Sequence, residues 1–152
     1  MELVPSRYVQ PGRAGDFGWM IEQPEYADAL FVFNDNEGEF RAHQGHAPGA
    51  RRCRAGGGNA VIRPYQCQNP PRAAGIPTGD HGGYPQLSDG ARAAIDDALA
   101  AIRALLATGR YQRVIYSAAD ERGDELGTGI FVVGDDVKRY IVSGLRQLSR
   151  TD

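Results

Sequence analysis

Apolar and polar positions alternate along this chain in three distinct rhythms. Ala29-Leu-Phe-Val-Phe33 is a continuous apolar run, as expected of a strand buried on both faces. Tyr111-Gln-Arg-Val-Ile-Tyr-Ser117 is rich in β-branched and aromatic residues and predicts another strand. Two stretches change to a helical period. Ala91, Ile95, Ala98, Leu99, Ile102, Leu105 and Leu106 make one apolar stripe, opened by Ser88 or Asp89 as a cap and closed by Gly109 at C′. Val137, Tyr140, Ile141, Leu145 and Leu148 make a second, with Asp135 and Asp136 at its start.

Weaker patterns fill the gaps. Phe17, Trp19, Met20 and Ile21 form an apolar knot that reads as an edge strand. Trp19 serves there either the core or a stacked ligand. Ala60-Val-Ile-Arg-Pro-Tyr65 reads as a short strand, demoted to an edge by Pro64. Arg72-Ala-Ala-Gly-Ile-Pro77 reads as one more. Asn34 to Glu39, Thr78 to Tyr84 and Ala118 to Glu125 read as polar loops. Strands alternating with helices give an α/β protein, and a helix between two strands gives a βαβ unit.

Composition narrows the partners. The net charge is -2 over 152 residues, so no global attraction to nucleic acid or anionic membrane is expected. No apolar run approaches the roughly 20 residues needed to span a bilayer. The N-terminus lacks the regions of a signal peptide, which implies a cytoplasmic protein. Cys53 and Cys67 are then expected as free thiols. His43, His46 and the two cysteines fit no standard zinc spacing, so no metal or cofactor is expected.

Candidate chemistry gathers in glycine-rich places. Gly56-Gly57-Gly58-Asn59 can wrap an anion, with Arg51, Arg52 and Arg54 nearby. A plain surface loop has the same composition. Leu126-Gly-Thr-Gly-Ile-Phe131 stands between a strand and a helix, where glycine lets backbone N–H groups approach a phosphate. Asp135 and Asp136 occupy the helix start itself, so Gly127 to Phe131 would have to hold the anion. His81 is a candidate acid or base by type. Asp120, Glu121, Asp124 and Glu125 read as a solvated acidic loop.

Val114 to Ser117, the Gly-Thr-Gly-Ile-Phe stretch and the helix from Asp135 together resemble the macrodomain family, an ADP-ribose-binding α/β fold. The apolar strand running into Asn34-Asp35-Asn36 resembles that family's first ligand loop, although Asn-Ala-Ala-Asn itself is absent. The likeness extends from Ala29 to Leu148 and includes small macro-like proteins of phage and bacteria. It implies a single three-layer domain over residues 1–152, with a central mixed sheet flanked by helices and residues 1–28 as an N-terminal extension packing on the core.

The resemblance also implies binding, with or without hydrolysis, of ADP-ribose or a related phosphorylated nucleoside. Asn34, Asn36, Gly56, Gly57, Gly58, Asn59, Gly127, Thr128, Gly129, Ile130 and Phe131 would contact the ligand. Asp35, Glu37 or His43 would polarise a water if there is catalysis. Two other classes compete. One is an interaction module that kept the fold and lost the ligand. The other is nucleic-acid binding through the arginines at 51, 52 and 54, which the net charge disfavours.

Overall fold

The structure is a computed structural model and describes residues 1–45, 53–129 and 131–150. His46, Arg51, Arg52 and Ile130, named above as candidates, lie outside the described residues. The molecule is α/β. Four strands, β1 (Glu2–Ser6), β2 (Ala29–Asn36), β3 (Ala73–Gly79) and β4 (Arg113–Ser117), form one sheet in the order β1-β4-β2-β3. Every pairing is parallel, which corrects the expected mixed sheet. Parallel strands need crossovers, and the helices supply them. These are α1 (Phe17–Met20), α2 (Glu37–Gln44) and α3 (Asp89–Leu106), while α4 (Asp135–Arg150) follows the last strand.

Alternation along β2 builds two cores. Leu30 and Val32 join α3 and α4 in the larger one, with Phe40 of α2 and Val114 and Tyr116 of β4. Phe31 and Phe33 face the other way, onto Phe17, Met20, Ala60 and Ile62. The sheet is therefore covered on both sides, which is why β2 reads as an unbroken apolar run. The stripes on α3 and α4 bury as their period predicts, with Ile95, Ala98 and Ile102 on one and Val137, Ile141 and Leu145 on the other. The cap of α3 is Ser88, whose side chain accepts from the Ala91 N–H. Gly109, at φ +74, falls two residues past the C-cap Ala107.

Four local expectations are corrected. Phe17 to Met20 is a short helix capped by Asp16 rather than an edge strand, and Trp19 packs half-buried on the smaller core. Ala60 to Tyr65 belongs to a 3-10 helix, Gly58–Cys67. Its buried Ala60, Arg63 and Gln66 recur every three residues, the 3-10 period. Asn34 to Glu39 is not a loop, because β2 continues to Asn36 and α2 starts at Glu37. Finally, Cys53 and Cys67 are joined in a disulfide, with Cα atoms 6.1 Å apart, where free thiols were expected.

The first residues are part of the sheet. Glu2 to Ser6 pairs along β4 from Arg113 to Ser117. Pro5 sits in this edge strand and Pro77 in the opposite one, β3, while β2 and β4 have no proline. Proline lacks the ladder donor, so edges are where it fits. Among the described residues no helix is long and apolar enough to cross a membrane.

Candidate functional site

In parallel sheets ligands sit beyond the carboxyl ends of the strands. Here those ends present Asn34 to Asn36, Gly79 and Ser117. The glycine stretch is fixed to two of them. Asn34 of β2 donates from Nδ2 to the Gly127 carbonyl at 2.7 Å, and Ser117 Oγ of β4 donates to the same carbonyl at 3.3 Å. The Gly127 N–H returns to the Ser117 carbonyl at 2.9 Å. Glycine is required there, because a Cβ would lie 2.6 Å from the Ala118 carbonyl oxygen. The far end is fixed by the Gly134 N–H, which donates to the Tyr84 carbonyl at 2.9 Å.

Between these anchors the chain is largely open, although the Val132 carbonyl packs against Gly83. Among the described residues, no backbone–backbone hydrogen bond engages Thr128, Gly129, Phe131 or Val132. A Cβ on Gly129 would meet nothing within 4 Å. Phe131 is 57% exposed and Val132 90% exposed, unusual values for such residues. Asn34 Oδ1 is buried without a hydrogen-bond partner among the described residues, although its Nδ2 is satisfied. Buried polar atoms are normally paired, and this one has no partner among the described residues.

The first loop candidates divide by position. Asn36 caps α2, its side chain accepting from the Glu39 N–H at 2.7 Å. Asp35 points into the protein and is 5% exposed. It pairs with the equally buried Arg63, Nη2 to Oδ1 at 2.5 Å, and Oδ1 also accepts from the Asn36 N–H. Burial pushes the Asp35 carboxyl up from its ordinary range, with Arg63 opposing the shift. Glu37 opens α2 half-buried and accepts from the Tyr84 hydroxyl at 2.5 Å. Burial, and then Glu37 itself, push the Tyr84 phenol well above its usual range, so it remains a donor. His43 lies in the last turn of α2, on the order of 10 Å along the helix from Asn36.

Gly56 to Asn59 forms a separate place. Gly56 lies against the Arg63 guanidinium, which would stand 2.7 Å from a Cβ there. Asn59 braces α1: Oδ1 accepts from the Phe17 N–H at 3.1 Å and Nδ2 donates to the Gly15 carbonyl at 3.4 Å. Gly57 and Gly58 are exposed. The structure thus brings Asn34 and the Gly127 stretch together and gives Asn59 a bracing role. His81 is almost wholly exposed in the turn after β3, at φ +56, with its ring 3.7 Å from the Asp80 carboxylate.

Sequence reasoning did not find Ser117, Arg63 or Tyr84. Two shallow surface depressions, about 320 and 240 Å³, are lined from α4 and α3 with Asp124, and neither includes a residue of the Asn34 or Gly127 stretches. Among the described residues no group of three His, Cys, Asp or Glu is placed to hold a metal ion. No protein-family profile, curated protein or solved structure matches the chain.

Proposed function

We propose that the carboxyl edge of the sheet binds ADP-ribose or a related phosphorylated nucleoside, as the macrodomain-like resemblance implies. The observation that carries this reading is the Asn34 side chain bonded to the Gly127 carbonyl. It joins the ends of β2 and β4 beneath a glycine stretch whose middle has no backbone partner among the described residues. Such a stretch can turn N–H groups toward a pyrophosphate. Asn34 Oδ1 would accept a ligand donor, and Phe131 would pack on a sugar or base. Asp35, held by Arg63, positions its neighbours Asn34 and Asn36 rather than facing a ligand. Any hydrolysis would rely on a water oriented by Glu37.

Isothermal titration with ADP-ribose, with AMP and NAD as controls, tests the reading. Micromolar binding, about 8 kcal/mol, is expected. Chromatography of the mixture then reads any product. A second reading is favoured by the exposure of Phe131 and Val132, which would suit a protein partner. No heat with any of the three ligands, beside a copurifying protein, would move the assignment there.

A further inference from the structure

The Cys53–Cys67 bond sits at the end of a chain of contacts that leads to the candidate site. It closes the segment that contains Gly56 to Gly58 and the 3-10 helix Gly58–Cys67. Arg63, inside that segment, donates from Nη1 to the Arg54 carbonyl at 2.9 Å, one residue from Cys53. The same guanidinium holds Asp35 through Nη2 at 2.5 Å and Nε at 3.4 Å. Asp35 stands in β2 between Asn34, which carries the Gly127 stretch, and Asn36, which caps α2. The segment is also tied by the Gly56 N–H to the Ala60 carbonyl at 3.0 Å, by the two Asn59 bonds to Phe17 and Gly15, and by the burial of Ala60 and Ile62 in the smaller core.

We propose that Cys53–Cys67 is a thiol–disulfide exchange site for a dithiol reductant, and that its closed form latches Arg63 onto Asp35 behind the candidate site. Cys67 is exposed and Cys53 half-buried, so an incoming thiolate meets the Cys67 sulfur first. Its attack forms a mixed disulfide on Cys67 and expels Cys53 as a thiolate. Arg54 follows Cys53 directly in the chain, and a cationic neighbour favours a thiolate leaving group. The second thiol of the reductant then attacks its own sulfur in the mixed disulfide. That step closes the reductant's disulfide and releases the Cys67 thiolate. The protein gains two electrons and the reductant loses two, and its two protons pass to the cysteines. Opening frees the Arg54 side of the segment, so the Arg63 guanidinium loses the cross-link that fixes its second anchor and its hold on Asp35 loosens.

The test needs no nucleotide. The whole chain is incubated with a dithiol and free thiols are counted by alkylation and mass spectrometry. Amide hydrogen exchange is followed at Asp35, Asn36, Ala60 to Arg63, Tyr65 and Gln66, oxidised and reduced. Reduction under folding conditions with exchange there accelerated about tenfold or more is expected, and Cys53→Ser with Cys67→Ser should reproduce it. A monothiol should leave its adduct on Cys67. Two alkylated cysteines with unchanged exchange would overturn the latch. A bond that resists the dithiol until the protein unfolds, or an adduct on Cys53, would overturn the exchange site as drawn.

Discussion

Arg63 and Asp35 show how much one side chain can decide. Each is 5% exposed, and neither has water to fall back on. Arg63→Met would leave a buried carboxylate without its cation, at a cost of about 3–5 kcal/mol. The pH dependence follows from the direction of the Asp35 shift. A carboxyl whose folded pKa is raised contributes stability that is complete below the unfolded value of about 3.9 and is lost as pH rises through the folded one. Without Arg63 the shift grows. The deficit of Arg63→Met in urea unfolding should therefore be large at neutral pH and shrink toward the acid range. A deficit independent of pH would refute the pairing. Tyr84→Phe removes a hydrogen bond to a charged acceptor, Glu37, and should cost about 1.5–3 kcal/mol by urea midpoint. The advantage of Tyr84 persists below about pH 10, the unfolded phenol value, and declines above it. These pairs were hidden in the sequence, because their partners stand 28 and 47 positions apart and no local period connects them.

At the scale of elements, strong periods were readable and short ones were not. The β2 run and the stripes of α3 and α4 are long enough for burial to print its period on the chain. The 3-10 helix Gly58–Cys67 was read as a strand because a period of three over a few residues, interrupted by Pro64, mimics alternation. Helix α1, only four residues long, carries no full amphipathic repeat. Strand β1 was not legible, because its five residues carry no apolar period and Pro5 interrupts them, yet an edge tolerates proline. Its pairing with β4 is set by residues more than a hundred positions away. Residue type narrowed the cap of α3 to Ser88 or Asp89 and the structure selects Ser88, so Ser88→Ala should cost about 1 kcal/mol. For a chain of this size that lowers the melting temperature by roughly 2–4 °C. An unchanged melting curve would mean that the cap contributes nothing.

For the whole molecule, the sequence held both ends of the candidate site but not the join. Asn34 and Gly127 were each named from their glycine- and asparagine-rich surroundings, and their bond is visible only once β2 and β4 lie side by side. The triple glycine was equally conspicuous, yet Gly56 lies against Arg63, Gly57 and Gly58 are simply exposed, and Asn59 braces α1. Composition cannot separate a glycine that admits a ligand from one that admits a guanidinium. The experiment at this scale is Gly129→Glu. The site is open enough to take the side chain without disturbing the fold, so melting should be unchanged. Affinity for ADP-ribose should fall by at least about tenfold, or 1.4 kcal/mol. Equal affinity in the two proteins would exclude the glycine stretch as the pyrophosphate contact.

Pro5 and Pro77 have a consequence at the outer borders of the sheet. A free strand edge is a template on which a second chain can build, and repeated addition leads to fibres. Both borders here are interrupted by a residue with no N–H to offer. An arriving strand would find a gap in its ladder on either side. Crowded copies of this chain therefore meet through side chains and loops, and self-assembly by cross-β stacking is suppressed at the places where a parallel sheet is most exposed to it.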